Sequence, residues 1–181
     1  MSAATSSRPA RRQPGRSFAG LVWALVPVLL VLVFLVWWQR GEARPAPTVD
    51  PRPDVSYARR VAPVPLPGPG PLPAGWRATS SRVDTPSGEG RSPVTLDIGY
   101  LTASDRFARL VVSDAAVPTV LQERVPGATA DGSTAVGSAR WGRYRTPRGE
   151  TVLVRRVGAA TVLVTGDAPD SDLAVLAASV R

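Results

Sequence analysis

The sequence contains no lysine, histidine, cysteine or asparagine, and its single isoleucine is Ile98. Because thiol and imidazole groups are both missing, the chain has no means of forming a disulfide, a Cys/His zinc site, or a catalytic centre built on a cysteine nucleophile or a histidine base. A serine nucleophile would also need an unusual base, since neither His nor Lys is present to take its proton. The composition therefore disfavours most enzyme mechanisms and predicts no bound cofactor and no metal.

The basic residues are all arginines, 22 of them against 14 acids, and they are unevenly placed along the chain. Residues 1–17 hold four arginines and no acid, residues 39–75 have a surplus of two arginines, and residues 76–181 have a surplus of two. Half of the formal charge of +8 thus lies in a short N-terminal tail. This tail is rich in Ser, Pro and Arg and lacks apolar periodicity, so we predict that it is disordered.

Residues 18–38 are uncharged and read FAGLVWALVPVLLVLVFLVWW. A helix of this length spans about 31 Å, which matches a hydrocarbon core of about 30 Å. We predict a transmembrane helix from Phe18 to Trp38, kinked at Pro27, through which the chain contacts the membrane bilayer. The preceding arginines place the N-terminus in the cytoplasm and the C-terminal domain outside. A cleaved signal peptide is the alternative, because Gly41-Glu42-Ala43 offers a cleavage pattern, although the apolar run is longer than such peptides usually carry.

Residues 39–75 contain ten prolines, six of them at every second position from Pro63 to Pro73. This composition predicts a stiff, extended extracytoplasmic linker, because proline disfavours helix and central sheet. Within it, residues 54–62 predict a short helix with Asp54 as its N-cap and Pro63 as its end.

Residues 76–181 have the composition of one globular domain of the α+β class. Alternating apolar residues predict six strands, and a helical period predicts helices near residues 117–125 and 170–180. The expected order is βββαβββα. Because several links have hairpin length, we expect a mostly antiparallel sheet covered by the helices. The predicted strands lie near residues 76–83, 94–100, 107–113, 140–146, 151–156 and 160–165.

Six arginines and a single acid, Glu150, lie between residues 140 and 156. The turn Thr146-Pro147-Arg148-Gly149 predicts a hairpin that pairs Tyr144 with Val152. In that register Tyr144 and Val152 face the core, although Leu153 then falls on the outer face. The predicted outer face consists of Trp141, Arg143, Arg145 and Arg155.

This outer face has two interpretations. In the first it is a solvated hairpin whose arginines keep the domain soluble, since exposed charges are common and contribute little stability. In the second, Trp141, Arg143, Arg145 and Arg155 bind an anionic envelope polymer, a lipid headgroup or an acidic protein, because guanidinium groups grip phosphate and carboxylate bidentately. Nucleic acid is a poor candidate partner for a domain outside the cell.

Other short patterns have structural explanations. Asp167, Asp170 and Asp172 do not match the spacing of a calcium loop and suit the first turn of the last helix. Gly88-Glu89-Gly90 lacks the third glycine of a dinucleotide fingerprint. A pair of carboxylates for glycoside hydrolysis is defined by spatial separation, so the sequence selects none.

Five short motifs stand out in the outer domain: Leu72-Pro73-Ala74-Gly75-Trp76-Arg77, Gly99-Tyr100-Leu101-Thr102, Ser113-Asp114-Ala115, Trp141 and Val164-Thr165-Gly166. Together they resemble those of an uncharacterised family of actinobacterial single-pass membrane proteins. The resemblance covers the apolar segment and nearly all of the outer domain, and it implies no activity. The element order also resembles the Mog1/PsbP-like sandwich, a likeness at the level of fold alone.

These observations predict a membrane-anchored, non-catalytic interaction or accessory module of the cell envelope. One alternative is a lipid or small-ligand carrier, which a pocket lined by Leu, Val and Trp would favour. The other is a hydrolytic enzyme that uses carboxylates, which two or more converging carboxylates in a cleft would favour.

Overall fold

The computed structural model describes residues 26–32, 34, 47–85 and 93–181, and the chain divides into two units, Met1–Pro45 and Ala46–Arg181. In the first unit, residues 26–32 and 34 are helical and their large apolar side chains are exposed. No helix within the described residues is both long and apolar enough to cross a membrane. The predicted tail, residues 1–17, and most of the predicted membrane helix, residues 18–38, lie outside the described residues.

The second unit is built on one seven-stranded sheet in the order β1-β2-β3-β7-β6-β5-β4. All its strand pairs are antiparallel. Two meanders, β1–β3 and β4–β7, are joined where β3 pairs with β7. The predicted α+β class and antiparallel sheet are therefore confirmed. The strands are β1 Arg77–Asp84, β2 Thr95–Leu101, β3 Phe107–Ser113, β4 Thr129–Val136, β5 Ala139–Arg145, β6 Thr151–Val157 and β7 Ala160–Gly166; the helices are α1 Arg52–Val61, α2 Val117–Arg124 and α3 Asp170–Ser179.

The predicted count of six strands is wrong, because β4 is a further strand between α2 and β5. Its sequence, TADGSTAV, is mostly exposed and shows no apolar alternation, since this strand pairs on one side only and lies at the sheet edge. The register shifts between Ala130 and Ser133, and Gly132 between them has a φ of 90°. A bulge of this kind shortens the regular pairing edge and discourages association through it.

Both faces of the sheet are covered. The first face carries the larger core, in which Leu110 and Val164 of the central strands pack with Leu173 of α3 and Ala58 of α1. The second face carries a smaller core under α2, formed by Val111, Val152, Val154 and Leu163 with Val120 of the helix. Because β3 and β7 are buried on both faces, their apolar residues run continuously and do not alternate with polar ones.

Ion pairs fix α2 to the first meander. Arg124 of α2 lies 2.7 Å from Asp84 of β1 and 3.5 Å from Asp97 of β2, and Asp97 also pairs with Arg109 of β3. The hydrogen bond from Arg109 to Asp97 raises the pKa of Arg109, so this cation persists at every ordinary pH. The helix therefore contacts both meanders, one by apolar packing and the other by charge.

The proline-rich segment after α1 packs along the first face of the sheet. We call residues 62–72 the proline strap. Leu66, Pro67 and Gly68 within it are buried. The backbone N–H of Gly68 donates to the carbonyl of Arg181 at 2.9 Å, and that of Gly70 donates to the carbonyl of Ser179 at 2.8 Å. Residues that the composition assigns to a linker are thus held by hydrogen bonds to the last residue of α3 and to Arg181, two residues further on.

Helix α1 begins two residues earlier than the sequence predicts. Pro51 occupies the N-cap position without a side-chain cap, and Asp54 lies in the first turn, so Asp54 is not the cap. The helix buries Ala58 and presents Tyr57 and Val61 to solvent. It brings its N-terminal half close to the edge strand β1.

Candidate functional site

The hairpin of β5 and β6 has the predicted register, with Tyr144 opposite Val152. The predicted exposure of Trp141 is wrong: it is 2% exposed and packs in the larger core with Leu153. The face taken as outer is the one that α1, the strap and α3 cover. Leu153 lies on that same face, and this apolar residue among the arginines was the sequence signal that the face is buried.

Arg143 and Arg145 pair with acids of neighbouring elements. Arg143 lies 3.2 Å from Asp131 of β4 and 3.1 Å from Asp170, the first residue of α3, while Arg145 lies 3.2 Å from Asp131. The buried Nε of Arg143 makes no hydrogen bond, so its contact with Asp131 is an ion pair by distance alone. These two arginines thus fasten the hairpin to β4 and α3.

Arg155 is the member of the predicted set that has no carboxylate within ion-pair distance among the described residues. It is half-buried in β6 and stands opposite Val162 of β7. The four predicted residues therefore do not form one open cationic surface, because Trp141 is in the core and two arginines have carboxylate partners.

A cleft of about 300 Å³ lies between the β5–β6 turn and the start of α3, and three carboxylates line it: Glu150, Asp167 and Asp170. Asp167 accepts a hydrogen bond from the backbone N–H of Phe107 at 2.7 Å and lies 3.2 Å from Arg106. Asp170 pairs with Arg143. Two of the three acids are thus engaged in holding the fold together, and no group of acids in the described part of the chain is arranged to hold a metal ion.

A larger groove, of about 950 Å³, opens between α1, the strap and the outer side of β1. We call it the Trp76 groove. Its floor is formed by Trp76, Ala78 and Tyr100, and its walls by residues 48–52, 55 and 56 on one side and 69–72 on the other. The backbone N–H of Val49 donates to the carbonyl of Ala78 at 2.8 Å, which holds the first wall against β1. The hydrogen bond between Gly70 and Ser179 holds the second wall.

The floor of the groove carries an aromatic pair and a free hydroxyl. Trp76 and Tyr100 meet edge to face, with ring centroids 6.4 Å apart and an interplanar angle of 61°. Tyr100 is 4% exposed, and burial raises its pKa to about 12, so it keeps its proton at neutral pH. Its hydroxyl makes no hydrogen bond with any residue that the structure describes, and is left for water or a ligand in the groove.

The charge of the groove is positive, since Arg52, Arg59 and Arg77 line it with one acid, Asp50. Arg77 is neutralised by Asp105 at 2.5 Å. Arg59 donates from Nε to the carbonyl of Leu66 at 3.0 Å, which positions its guanidinium but leaves its charge. Neither Arg52 nor Arg59 has a carboxylate within ion-pair distance in the described part of the chain.

A second groove, of about 730 Å³, lies on the other side of the strap. Its lining is mostly apolar, with Val64 and Val157 among prolines and alanines, and Arg59 and Arg181 stand at its border. The strap thus separates a mixed polar and aromatic groove from a mainly apolar one. Sequence reasoning missed both, because each groove combines segments far apart in the chain; the one local signal was the aromatic residue at the start of the domain.

The fold and the site together define an α+β domain with a single antiparallel sheet and a surface groove bordered by a proline-rich strap. The chain belongs to the family described as Protein of unknown function (DUF4245), whose model matches residues 15–180. Searches of curated proteins and of solved structures found no match. The predicted membership of an uncharacterised family is confirmed, while the likeness to Mog1/PsbP domains stays a prediction.

Proposed function

We propose that the protein is a single-pass membrane protein whose C-terminal domain lies outside the cell and acts as a non-catalytic interaction module of the cell envelope, with the Trp76 groove as its contact surface. The observation that carries the binding function is the lining of the groove, which joins the aromatic pair of Trp76 and Tyr100 to two arginines, Arg52 and Arg59, without a carboxylate partner among the described residues. Grooves that combine aromatic side chains with a few charged and polar groups are typical of binding sites.

The anchor is supported by the sequence and by the extent of the family match. The matched residues 15–180 include the uncharged segment 18–38, so this segment belongs to the sequence that the family shares. Four arginines precede the segment, which favours a cytoplasmic N-terminus. The exposed apolar side chains of residues 26–32 and 34 suit a lipid environment.

The groove replaces the arginine hairpin as the proposed contact surface. Arg143 and Arg145 are explained by their ion pairs with Asp131 and Asp170, and Trp141 by its place in the core. A non-catalytic role is supported by the lack of His, Cys and Lys, and by the engagement of Asp167 and Asp170 in holding the fold together. The hydrolase alternative would need these carboxylates to leave their present partners.

Membrane topology is tested by labelling single cysteines, which the cysteine-free chain allows without background. A membrane-impermeant maleimide should label Ser138→Cys, in the exposed β4–β5 turn, on intact cells, and should label Ser7→Cys only after lysis. Labelling of Ser7→Cys on intact cells with protection of Ser138→Cys would reverse the orientation. Failure to label Ser7→Cys even after lysis, with Ser138→Cys labelled, would identify a cleaved signal peptide.

The contact surface is tested by crosslinking in native membranes. A photoreactive residue placed at Ser56, which lines the groove, should crosslink a partner, whereas one at Gln122, exposed on α2 over the opposite face, should not. The Ser56 crosslink should disappear in a Trp76→Ala background. Equal crosslinking from both positions, or a crosslink insensitive to Trp76, would contradict the groove as contact surface.

A lipid or small-ligand carrier is the second candidate, and the grooves supply the observation that favours it. Val55, Leu72 and Trp76 line the first groove, and Val64 and Val157 line the second. Native mass spectrometry of the purified domain separates the two functions, since a carrier retains a stoichiometric lipid that an interaction module lacks.

A further inference from the structure

The Trp76 groove combines features that select one chemical class of ligand. We propose that it binds an anionic saccharide, a sugar chain that bears carboxylate or phosphate groups. This inference rests on the proposed function of the groove and specifies what the groove recognises. The juxtaposition that carries it is an aromatic ring, three hydroxyl groups and two arginines without carboxylate partners among the described residues, all around one cavity.

The size and lining of the groove suit a few sugar rings. Its volume of about 950 Å³ lies at the upper end of the range for small-molecule sites. Trp76 is half-buried at the floor, so part of its ring is open to the groove. A sugar ring has an apolar face of C–H groups, which can pack on the indole ring of Trp76. The hydroxyls at the edge of the sugar can then bond to the polar side chains that line the groove.

Hydroxyl groups of three side chains line the groove. The hydroxyl of Tyr100 at the floor is protonated and can both donate and accept. Ser56 and Thr48 add two further hydroxyls along the α1 wall. An acyl chain offers no hydrogen bond to these hydroxyls or to the arginines, so the lining favours a polar ligand over a lipid tail in this groove.

An extended peptide is disfavoured for a different reason. A peptide that binds beside a sheet gains affinity from backbone hydrogen bonds to the edge strand. At β1 the carbonyl of Ala78 already accepts from the N–H of Val49, so the chain's own segment occupies this part of the edge. A ligand in the groove would therefore be contacted mainly by side chains and not by free backbone N–H and C=O groups.

The charge of the site favours an anion. Three arginines and one acid line the groove, and Arg52 and Arg59 have no carboxylate within ion-pair distance among the described residues. The carboxylate of Asp50 already accepts a hydrogen bond from the backbone N–H of Arg52 at 3.0 Å. A guanidinium fork binds carboxylate and phosphate alike, so both are included in the class.

The test uses the full chain in nanodiscs of neutral phosphatidylcholine, titrated calorimetrically with three probes. These are a β-1,4-linked glucose trisaccharide, the corresponding glucuronic acid trisaccharide, and the glucose trisaccharide carrying a 6-phosphate. At least one anionic probe should bind at least about tenfold more tightly than the neutral one, and the difference should shrink as salt rises, because exposed charges are screened. The stronger anionic probe identifies carboxylate or phosphate as the preferred group.

Two conservative variants locate the binding. Arg52→Gln should remove most of the preference for the anion, and Tyr100→Phe should weaken all probes several-fold without changing the preference. Both changes keep the backbone and the buried ring, so thermal melting should match the wild type. Arg148→Gln and Tyr144→Phe, at exposed and half-buried positions outside the groove lining, are the matched controls and should leave binding unchanged.

Failure of this inference is distinguishable from failure of the proposed function. Equal affinity for the neutral and anionic probes, or full binding by Arg52→Gln, would overturn the anionic class. If no trisaccharide binds while the Ser56 crosslink still depends on Trp76, the groove remains the contact surface and the saccharide inference is wrong. If no trisaccharide binds and the Ser56 crosslink does not depend on Trp76 either, the groove is not the contact surface.

Discussion

Trp141 and Arg143 project from the same face of β5 and meet different surroundings. Trp141 lies under the cover of the larger core, whereas Arg143 reaches the border where α3 begins and pairs with two acids. Sequence reasoning identified both as unusual residues and gave them one role. The structure separates them because burial depends on which elements pass over each position, and a local pattern does not contain that information.

Replacement of Trp141 by Ala should lower the free energy of unfolding by about 3–5 kcal/mol, because it leaves a large cavity in the core. Arg148→Gln, in the same hairpin but exposed, should change it by less than about 0.5 kcal/mol. Urea denaturation of residues 47–181 measures both. A Trp141→Ala domain as stable as the wild type would contradict the buried position.

Tyr100 should make stability depend on pH in the alkaline range. Burial raises its pKa from 10.0 to about 12, so above pH 10 the unfolded chain loses this proton while the folded domain keeps it. The contribution of Tyr100 to the free energy of unfolding should therefore be constant below pH 10. Between pH 10 and 12 it should fall by about 1.4 kcal/mol per pH unit.

Urea titrations at several pH values between 9 and 12 measure this slope in the wild type and in Tyr100→Phe. The difference between them isolates Tyr100, and Tyr57→Phe, at an exposed tyrosine, is the control. If the unfolding free energy of Tyr100→Phe falls with pH as steeply as that of the wild type, the pKa of Tyr100 is not raised by burial.

At the scale of elements, the strap shows how a composition typical of a linker can form part of a packed domain. Alternate prolines keep the strap extended, and the residues between them include Leu66, which is buried, and Leu72, which packs against the same core. The two glycines of the strap provide the N–H groups that proline lacks: Gly70 donates to the carbonyl of Ser179 at the end of α3, and Gly68 donates to that of Arg181. Extended chain of this kind loses little conformational freedom when it docks.

Gly70→Ala should loosen the strap. A Cβ at Gly70 would lie 2.7 Å from the carbonyl oxygen of Ser179, which is backbone and has little room to move. We expect a loss of about 1–3 kcal/mol in unfolding free energy and faster proteolysis within residues 62–72. Gly142→Ala in β5 is the control, because the nearest atom that its Cβ would meet outside the adjoining residues is the ring edge of Tyr144, at 3.3 Å. Equal proteolysis of the two variants would contradict the role of this contact.

Six strands, α2 and α3 were predictable because their apolar residues repeat with the period of the structure they form. Strand β4 escaped prediction because a bulged edge strand buries little and needs no alternation. The strap and the Trp76 groove escaped because their partners lie far away in the chain: Val49 meets Ala78, and Gly70 meets Ser179. Contacts between residues so far apart in the sequence do not affect the local pattern of apolar residues, so that pattern cannot predict them.

At the scale of the whole domain, the first face of the sheet is completed by residues that precede β1. Ala58 of α1 and Leu66 of the strap belong to the larger core, with Val55 and Leu72 packed against it. A fragment that starts at Trp76, where the sequence predicts that the domain begins, would leave this face partly open to water.

Residues 47–181 should therefore unfold cooperatively, whereas residues 76–181 should be several kcal/mol less stable, because burial of each large apolar side chain contributes about 1.5–3 kcal/mol. Denaturation followed by tryptophan fluorescence, together with binding of a dye that detects exposed apolar surface, measures the difference. Equal midpoints for the two fragments, without dye binding by the shorter one, would show that α1 and the strap are dispensable.

The junction of β3 with β7 also has a consequence for the order of folding. Within each meander, partners are hairpin neighbours that can form early, but the residues paired across the junction are 48 to 58 positions apart in the chain. Closing so long a loop costs entropy before any contact repays it, so the junction should form late and set the folding rate. During synthesis the apolar edge of β3 emerges well before β7 exists to pair with it. In that interval the nascent chain exposes an unpaired apolar strand that is prone to aggregation. Its dependence on chaperones should therefore be greatest before β7 is synthesised.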